Sequence, residues 1–189
     1  MAIVALYGSP SPASRTDVVL DHLLGQIAER GHEAVRLHLR DLPAEALLRA
    51  EGRNLLIEAA VDEVARAKIL VVGTPISRSA YSGLLKAFLD LLPAAAFRGK
   101  VVVPLAIGGS LAHLLAIDYA LRPLLQALGP DLILGGIFGT DRQIQYLDGR
   151  HHFEPELAVK LEEAGEQIAA RLGLALSPPL PAVADSHAF

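Results

Sequence analysis

The sequence predicts an α/β fold in which a five-stranded parallel sheet carries helices on both faces, the doubly wound arrangement. Three observations support this fold class. Short runs such as residues 3–7 and 69–72 are apolar throughout, as strands buried on both faces are. Amphipathic stretches separate these runs, which calls for right-handed helical crossovers between parallel strands. The 189 residues suffice for one such domain and fit this fold better than an eight-unit barrel.

Each predicted element has its own signal along the chain. The predicted strands are residues 3–7, 33–39, 69–72, 100–107 and 131–138, of which 33–39 alternates as a strand nearer an edge does. Either Ser14 or Thr16 can cap a first helix that ends near Gly31. Further helical segments are predicted over 42–50, 57–67, 84–89, 111–128 and 155–172. The strand order that fits these units is 2-1-3-4-5, the flavodoxin-like order.

Domain organisation and composition narrow the possible functions. Residues 1–173 form one predicted domain, and residues 174–189, rich in Pro and Ala, form a predicted loose tail. A net charge of −4 gives no electrostatic reason to expect nucleic acid or an anionic membrane as partner. The absence of cysteine excludes disulfides, thiolate catalysis and Cys-ligated metals. His151 and His152 lack a third ligand at metal-binding spacing, so we expect a solvated loop and no metal.

The N-terminal residues enter a strand at once, without the basic and apolar regions of an export signal. No apolar run is long enough to span a bilayer. We therefore expect a cytoplasmic protein that does not associate with membranes.

The most informative segment is the loop that follows the first strand. It contains Ser9, Ser14, Arg15 and Thr16 and leads directly into the first helix. Loop N–H groups, hydroxyls and the positive end of a helix favour a bound phosphate. The loop matches neither Gly-x-Gly-x-x-Gly nor the P-loop pattern, which argues against a dinucleotide fingerprint and a nucleoside triphosphatase. A hydroxyl-rich loop at this position points to a mononucleotide such as FMN.

Two more loops leave the same predicted edge of the sheet. One follows the third strand and contains Pro75, Ile76, Ser77 and Arg78; the other follows the fourth strand and contains Gly108, Gly109 and Ser110. Ligands of doubly wound sheets bind beyond the carboxyl ends of the strands. We expect these two loops to bracket a flat ring system, with peptide N–H groups bonding the ring edge.

Three further residues, Tyr81, His113 and Tyr119, lie near these loops in the sequence. Tyr81 either faces the ring or packs in the core, and the sequence does not decide between these. His113 is a candidate for a direct role beside the third loop. Pro123 interrupts the helical pattern over 111–128 and cannot donate to the carbonyl of Tyr119. Either a Pro kink or a π-bulge near Tyr119 would relieve that strain.

Together these segments resemble the NAD(P)H-dependent FMN reductases, in particular the alkanesulfonate type. The likeness rests on Gly8–Ser9–Pro10 with Ser14–Arg15, Thr74–Pro75, the run from Ala80 to Lys86, and Gly108–Gly109 with His113. It continues through Leu89–Pro93, Gly99–Val102 and the run from Ala112 to Pro123, which is specific to this branch. It covers roughly residues 3–172.

The resemblance implies a flavodoxin-like fold, FMN bound as a dissociable substrate, and a homodimer or homotetramer. It also implies that Tyr119 lies in a π-helical insertion at a subunit interface and is linked to flavin exchange. Two departures stand out. Ser77 replaces a common aromatic residue, which removes a stacking partner for the ring, and Ser11 replaces a frequent Arg, which leaves Arg15 as the only cation of the loop.

The function expected from the sequence is oxidation of NADPH or NADH and reduction of FMN, with FMNH₂ released to a partner flavin-dependent monooxygenase. One alternative is a related enzyme that retains FMN and reduces quinones or azo dyes. The other is a flavodoxin-like electron carrier without nicotinamide activity. Such carriers tend to be strongly acidic to steer basic partners, and a net charge of −4 argues mildly against this alternative.

Overall fold

A parallel sheet of order β2-β1-β3-β4-β5 forms the centre of the fold, as the apolar runs predicted. The computed structural model describes residues 3–176, with side chains described to residue 173. The strands are β1 (Ile3–Tyr7), β2 (Ala34–His38), β3 (Ile69–Pro75), β4 (Val101–Gly108), β5 (Leu132–Ile133), β6 (Ile137–Thr140), β7 (Ile144–Leu147) and β8 (Arg150–Phe153). The helices are α1 (Arg15–Glu29), α2 (Ala44–Leu48), α3 (Leu55–Arg66), α4 (Gly83–Leu89), α5 (Arg122–Ala127) and α6 (Pro155–Leu176).

Two apolar layers lie on the two faces of this sheet, which explains why β1 is apolar at every position. Side chains at alternate positions of a strand point to opposite faces. Ile3, Ala5 and Tyr7 pack in the layer that includes α1 and α6. Val4 and Leu6 pack in the other layer, which includes α3 and α4. Both faces of β1 are therefore buried.

The predicted fifth strand over residues 131–138 is wrong as a single element. It is divided into β5 and β6, and both pair in parallel with β4. The break falls at Gly135 and Gly136. A Cβ on Gly136 would lie 2.6 Å from Cγ2 of Ile117, so the chain passes too close to the helical segment above it for a side chain. Tertiary packing, which apolar pattern alone does not report, sets this break.

The predicted solvated loop around His151 and His152 is also wrong. These residues lie in β8, which pairs antiparallel with β7. Asp148 and Gly149 form the turn, with φ of 51° and 76°. An Asp-Gly pair is the strongest short signal for a two-residue hairpin because both positions require positive φ. That signal was present in the sequence.

The third strand was predicted to end at residue 72 but runs to Pro75, and the single helix predicted over 111–128 is divided into three helical segments. The boundaries of the first and last helices are nearer to the prediction. Ser14 is the residue that caps α1, and its hydroxyl accepts a hydrogen bond from the Asp17 backbone N–H at 3.4 Å. The last helix runs to Leu176, three residues past the predicted domain end at 173. Of the predicted tail, residues 177–189 lie outside the described residues. Within residues 3–176 no helix is long and apolar enough to cross a membrane.

Gly73 marks the tightest helix-to-sheet contact near the site. A Cβ there would lie 2.4 Å from Cδ1 of Leu20, a fully buried side chain of α1. We predict that Gly73→Ala lowers the free energy of unfolding by about 1–3 kcal/mol, as overpacking does. Gly25→Ala is the matched control in α1, where nothing lies within 4 Å, and should raise that free energy by about 0.5–1 kcal/mol. Urea denaturation measures both, and an unchanged Gly73→Ala protein would contradict the packing argument.

Candidate functional site

The carboxyl ends of β1, β3 and β4 open into a cleft of about 290 Å³, which we call the strand-end cleft. Its walls come from all three loops that the sequence singled out. The lining residues are Ser9, Pro10, Ser11, Ala13, Ser14, Arg15, Thr16, Pro75, Ile76, Ile107, Gly109 and Asp141. The structure therefore brings the predicted phosphate loop together with Pro75, Ile76 and Gly109. Ile107 and Asp141 are cleft residues that the sequence analysis missed.

The loop after β1 has the features of an anion site. Ser9 is buried, and its hydroxyl accepts a hydrogen bond from the Ser11 N–H at 3.2 Å. Ser14 caps α1, and Thr16 in the first turn is buried. The first N–H groups of a helix have no intrahelical acceptor. No described residue accepts a hydrogen bond from the N–H of Arg15 or Thr16, and both residues line the cleft, so these two donors are available to a phosphate.

Arg15 supplies the positive charge of this loop. Its Nη1 lies 3.6 Å from Oδ1 of Asp141, and both side chains are about half exposed, at 55% and 46%. An ion pair this open contributes at most about 1 kcal/mol. Arg15 can therefore exchange Asp141 for a bound anion at small cost.

A hydrogen-bond network fixes the loop after β1 against the loop after β3. The Gly8 N–H donates to the Gly73 carbonyl at 2.8 Å. The Ser82 hydroxyl donates to the Gly8 carbonyl at 2.5 Å, and the Ser82 N–H donates to the Thr74 hydroxyl at 2.9 Å. Ser82 also caps α4. The sequence analysis assigned no role to Ser82, because its link to Gly8 spans 74 positions of the chain.

Residues 77–80 form a tight turn that divides the second loop. The Ser77 N–H donates to the Ala80 carbonyl at 2.9 Å, and the return bond is 3.2 Å. Arg78 and Ser79 have positive φ and lie exposed at the tip of the turn. Neither Ser77 nor Arg78 lines the strand-end cleft within this single chain.

Tyr81, which the sequence left undecided, packs against the buried layer that includes α3 and α4. It is half-buried and does not line the strand-end cleft. The core placement is therefore the one that the structure shows.

The third loop is shaped by His113. A Cβ on Gly108 would lie 3.1 Å from Cβ of His113 and 3.1 Å from the ring of Phe138, so Gly108 allows the close approach. The Nδ1 atom of His113 is buried without a hydrogen-bond partner. Gly109 has open space where a Cβ would be, and it lines the cleft. Ser110 is exposed and lies outside the lining residues.

The irregular helix contains a π-helix over Ile117–Leu121, which resolves the two alternatives left by the sequence. Pro123 lies in the first turn of α5, directly after it. Tyr119 is 79% exposed, and Leu111 and Leu115 beside it are also exposed. This segment therefore presents apolar surface next to the third loop. Within residues 3–176 no group of His, Asp or Glu side chains is arranged to hold a metal.

Comparisons with known proteins agree with this geometry. The family model for NADPH-dependent FMN reductases matches residues 1–144. The chain is 44% identical to an FMN reductase (NADPH) from Pseudomonas putida over 79% of this chain and 76% of that protein. It is 40% identical to an FMN reductase (NADPH) from Escherichia coli, covering 88% and 87%.

A crystal structure of an NADH:FMN oxidoreductase, EMOB, in its apo form superposes with a TM-score of 0.82 at 38% identity. The alignment covers 95% of this chain and 91% of that one. The fold, the strand-end cleft and these relatives lead to one assignment. The chain belongs to the NADPH-dependent FMN reductase family and is an NAD(P)H-dependent oxidoreductase that takes FMN as its substrate.

Proposed function

We propose that the strand-end cleft is where FMN binds, with its phosphate in the loop after β1. The observation that carries this proposal is the meeting of that loop with Pro75, Ile76 and Gly109 around one cleft. Ser9, Ser14, Arg15 and Thr16 hold the phosphate. The donors fit a dianion, because a helix N-terminus, hydroxyls and one guanidinium converge there without a competing buried carboxylate in the cleft.

The segments Pro75–Arg78 and Gly108–Ser110 frame the flavin ring in this proposal. Pro75, Ile76 and Gly109 line the cleft directly. Ser77, Arg78 and Ser110 are exposed and follow these lining residues in the chain, so that a neighbouring subunit or the nicotinamide can contact them. His113 supports this frame from beneath Gly108, and Tyr81 supports it from the core.

The reactants supply the redox chemistry: hydride passes from C4 of the nicotinamide to N5 of FMN. The chain's own residues orient the two rings and keep backbone N–H groups beside the ring, where reduction adds negative charge. No side-chain acid or base is required for this transfer. The cleft agrees with this, because most of its polar side chains are hydroxyls.

The test of this function is NADPH or NADH oxidation at 340 nm by flavin-stripped protein, with FMN titrated from none to excess. We expect saturable turnover that depends on FMN, because FMN acts as a substrate. Turnover that needs only stoichiometric FMN together with a quinone would instead identify a flavin-retaining quinone reductase. An absence of oxidation with both nicotinamides would leave an electron carrier.

Replacing Arg15 tests the phosphate assignment. Arg15→Ala should raise the FMN dissociation constant about tenfold or more, since a hydrogen bond to a charged group contributes about 1.5–3 kcal/mol. Its melting temperature should not change, because the guanidinium is half exposed. Arg49→Ala, which removes another exposed Arg paired with Glu45, is the control and should alter neither quantity. Equal FMN affinity in both variants would contradict the assignment.

We extend the proposal to the fate of the product: FMNH₂ is released to a partner flavin-dependent monooxygenase, of the alkanesulfonate type by resemblance. The support is that FMN is a substrate in this family, so its reduced form has to leave the cleft after each turnover. Both nicotinamides remain candidates, since the relatives named above include NADPH-specific names and an NADH:FMN oxidoreductase. A cytoplasmic location, where NAD(P)H is the reductant, belongs to the same proposal.

The final part of the proposal concerns assembly into a homodimer or homotetramer through the π-helix. Tyr119, Leu111, Leu114 and Leu115 form an exposed apolar patch beside the third loop. Exposed patches of this kind, rimmed by polar residues, mark interaction sites. Tyr119 would then contribute to the interface and to exchange of flavin.

Truncating Tyr119 tests this assembly. Tyr119→Ala should raise the subunit dissociation constant about tenfold or more, as loss of a buried interface tyrosine does. Light scattering after size-exclusion chromatography across a dilution series measures the change. Leu55→Ala, at an 80% exposed position of α3, is the control. Identical dissociation of both variants would remove Tyr119 from the interface.

A further inference from the structure

A second and larger cleft lies on the other side of the phosphate loop. Its volume is about 700 Å³, and we call it the hairpin cleft because β7 and β8 form one wall. The other walls are α1 and the end of β2. It shares Ala13, Ser14 and Arg15 with the strand-end cleft, so the two meet at the predicted phosphate position. None of the remaining hairpin-cleft residues has a role in the proposed flavin site.

Two buried polar atoms of this cleft have no hydrogen-bond partner. They are Oδ1 of Asp17 and Nδ1 of His38, and only four such side-chain atoms occur among the described residues. The Asp17 side chain is only 9% exposed. The distance from His38 Nδ1 to Asp17 Oδ2 is 3.9 Å. Leaving such groups unpaired costs about 1–3 kcal/mol each. A ligand with donors, such as ribose hydroxyls or an amino group, would satisfy them.

The outer wall offers an aromatic surface. Tyr146 is 66% exposed, and its ring centroid lies 4.9 Å from that of His151 across the hairpin. Ile144 and Tyr146 both line the cleft. Leu147, the last residue of β7, lies on the opposite face of the strand, because side chains alternate along a strand. An aromatic surface beside an apolar side chain is suited to stacking a nucleobase.

The cleft has a cationic mouth and an interior in which two carboxylates are paired with arginines. Arg15 stands at the shared mouth with only the weak Asp141 contact. Inside, Arg40 Nη1 bonds Asp17 Oδ2 at 2.5 Å and the Ser11 carbonyl at 3.3 Å. Asp21 is already engaged by the Tyr7 hydroxyl at 2.6 Å and by Arg36. Both of these bonds are made to Oδ1 of Asp21. Asp17 Oδ1 is the buried carboxylate oxygen of the cleft that has no partner among the described residues. In doubly wound dinucleotide-binding folds a carboxylate accepts a hydrogen bond from a ribose hydroxyl, and the phosphates lie at a helix N-terminus.

We propose that the hairpin cleft binds the adenosine monophosphate half of a dinucleotide, with the base on Tyr146, the ribose at Asp17 and His38, and the phosphate at Arg15. Two sources carry this chemistry: the adenylate of FAD, which extends beyond the FMN phosphate, and the adenylate of the nicotinamide cofactor. The proposal deepens the proposed function and rests on the phosphate position assigned there. No bond forms or breaks in this cleft.

The direct test is calorimetric titration of flavin-stripped protein with 5′-AMP. Tyr146→Ala and His38→Phe should each weaken AMP binding about fivefold or more, from lost stacking and a lost ring nitrogen respectively. Phe at position 38 keeps the ring contact with Tyr7, whose centroid lies 4.2 Å away, and exposed Tyr146 is not needed for folding. Leu147→Ala, on the opposite face of the same strand, is the matched control and should bind AMP as the parent does.

Kinetics then identify the source. If Tyr146→Ala raises KM for FAD about fivefold and leaves KM for FMN unchanged, the adenylate is that of FAD. If it raises KM for NADPH or NADH with FMN as acceptor, the adenylate is that of the nicotinamide cofactor. Either result supports the proposal.

Two results would overturn it. One is no AMP binding at millimolar concentration by a protein that reduces FMN normally. The other is equal AMP affinity in the parent, Tyr146→Ala and His38→Phe, which would place AMP in the phosphate loop alone. AMP binding that responds to both variants in a protein unable to bind FMN would instead refute the flavin site and uphold this one.

Discussion

The site depends on the close approach between the carboxyl end of β1 and the carboxyl end of β3. Gly8 donates to the Gly73 carbonyl, and a Cβ on Gly8 would lie 2.7 Å from that same oxygen. Ser82 then joins the Gly8 carbonyl to the Thr74 hydroxyl. The strand order reverses between β1 and β3, which is where doubly wound sheets form a crevice. These contacts hold that crevice to one width, so the phosphate loop and Pro75 lie on opposite sides of a fixed opening.

Gly73 also determines how closely α1 packs against β3 beneath the site. Gly73 leaves room for Leu20 of α1, so the helix that offers its N-terminus to the phosphate loop is held against the sheet within its second turn. Anion-binding capacity and core packing therefore share one helix. A change that lifts α1 from β3 would move the donors of Arg15 and Thr16 as a unit.

The sequence predicted the elements whose signals are local and left open those set by distant contacts. The apolar runs of β1, β3 and β4 are explained by burial on both faces, and the edge strand β2 by its alternation. The break at Gly136 depends on Ile117, and the link from Ser82 to Gly8 spans two strands, so neither has a local pattern. The hairpin at Asp148 was missed because each of its strands is only four residues long, although its turn signal was clear. The predicted strand order was enough to locate the loops that carry the candidate site residues. Whether Tyr81 faces the ring or the core depends on its packing against distant residues, which only the structure shows.

The β7–β8 hairpin has a thermodynamic consequence that follows from its isolation. It forms a separate two-stranded sheet, with Ile144 and Phe153 as its anchors to the core. Isolated two-stranded hairpins are marginally stable, so this unit should open at a free energy well below that of global unfolding. Its backbone amides should therefore exchange with deuterated solvent earlier than those of β1, β3 and β4. Any molecule that contacts both Tyr146 and α1 would slow that exchange by an amount set by its concentration and affinity. The exchange rate of the hairpin amides therefore measures how much of the hairpin cleft is occupied by ligand.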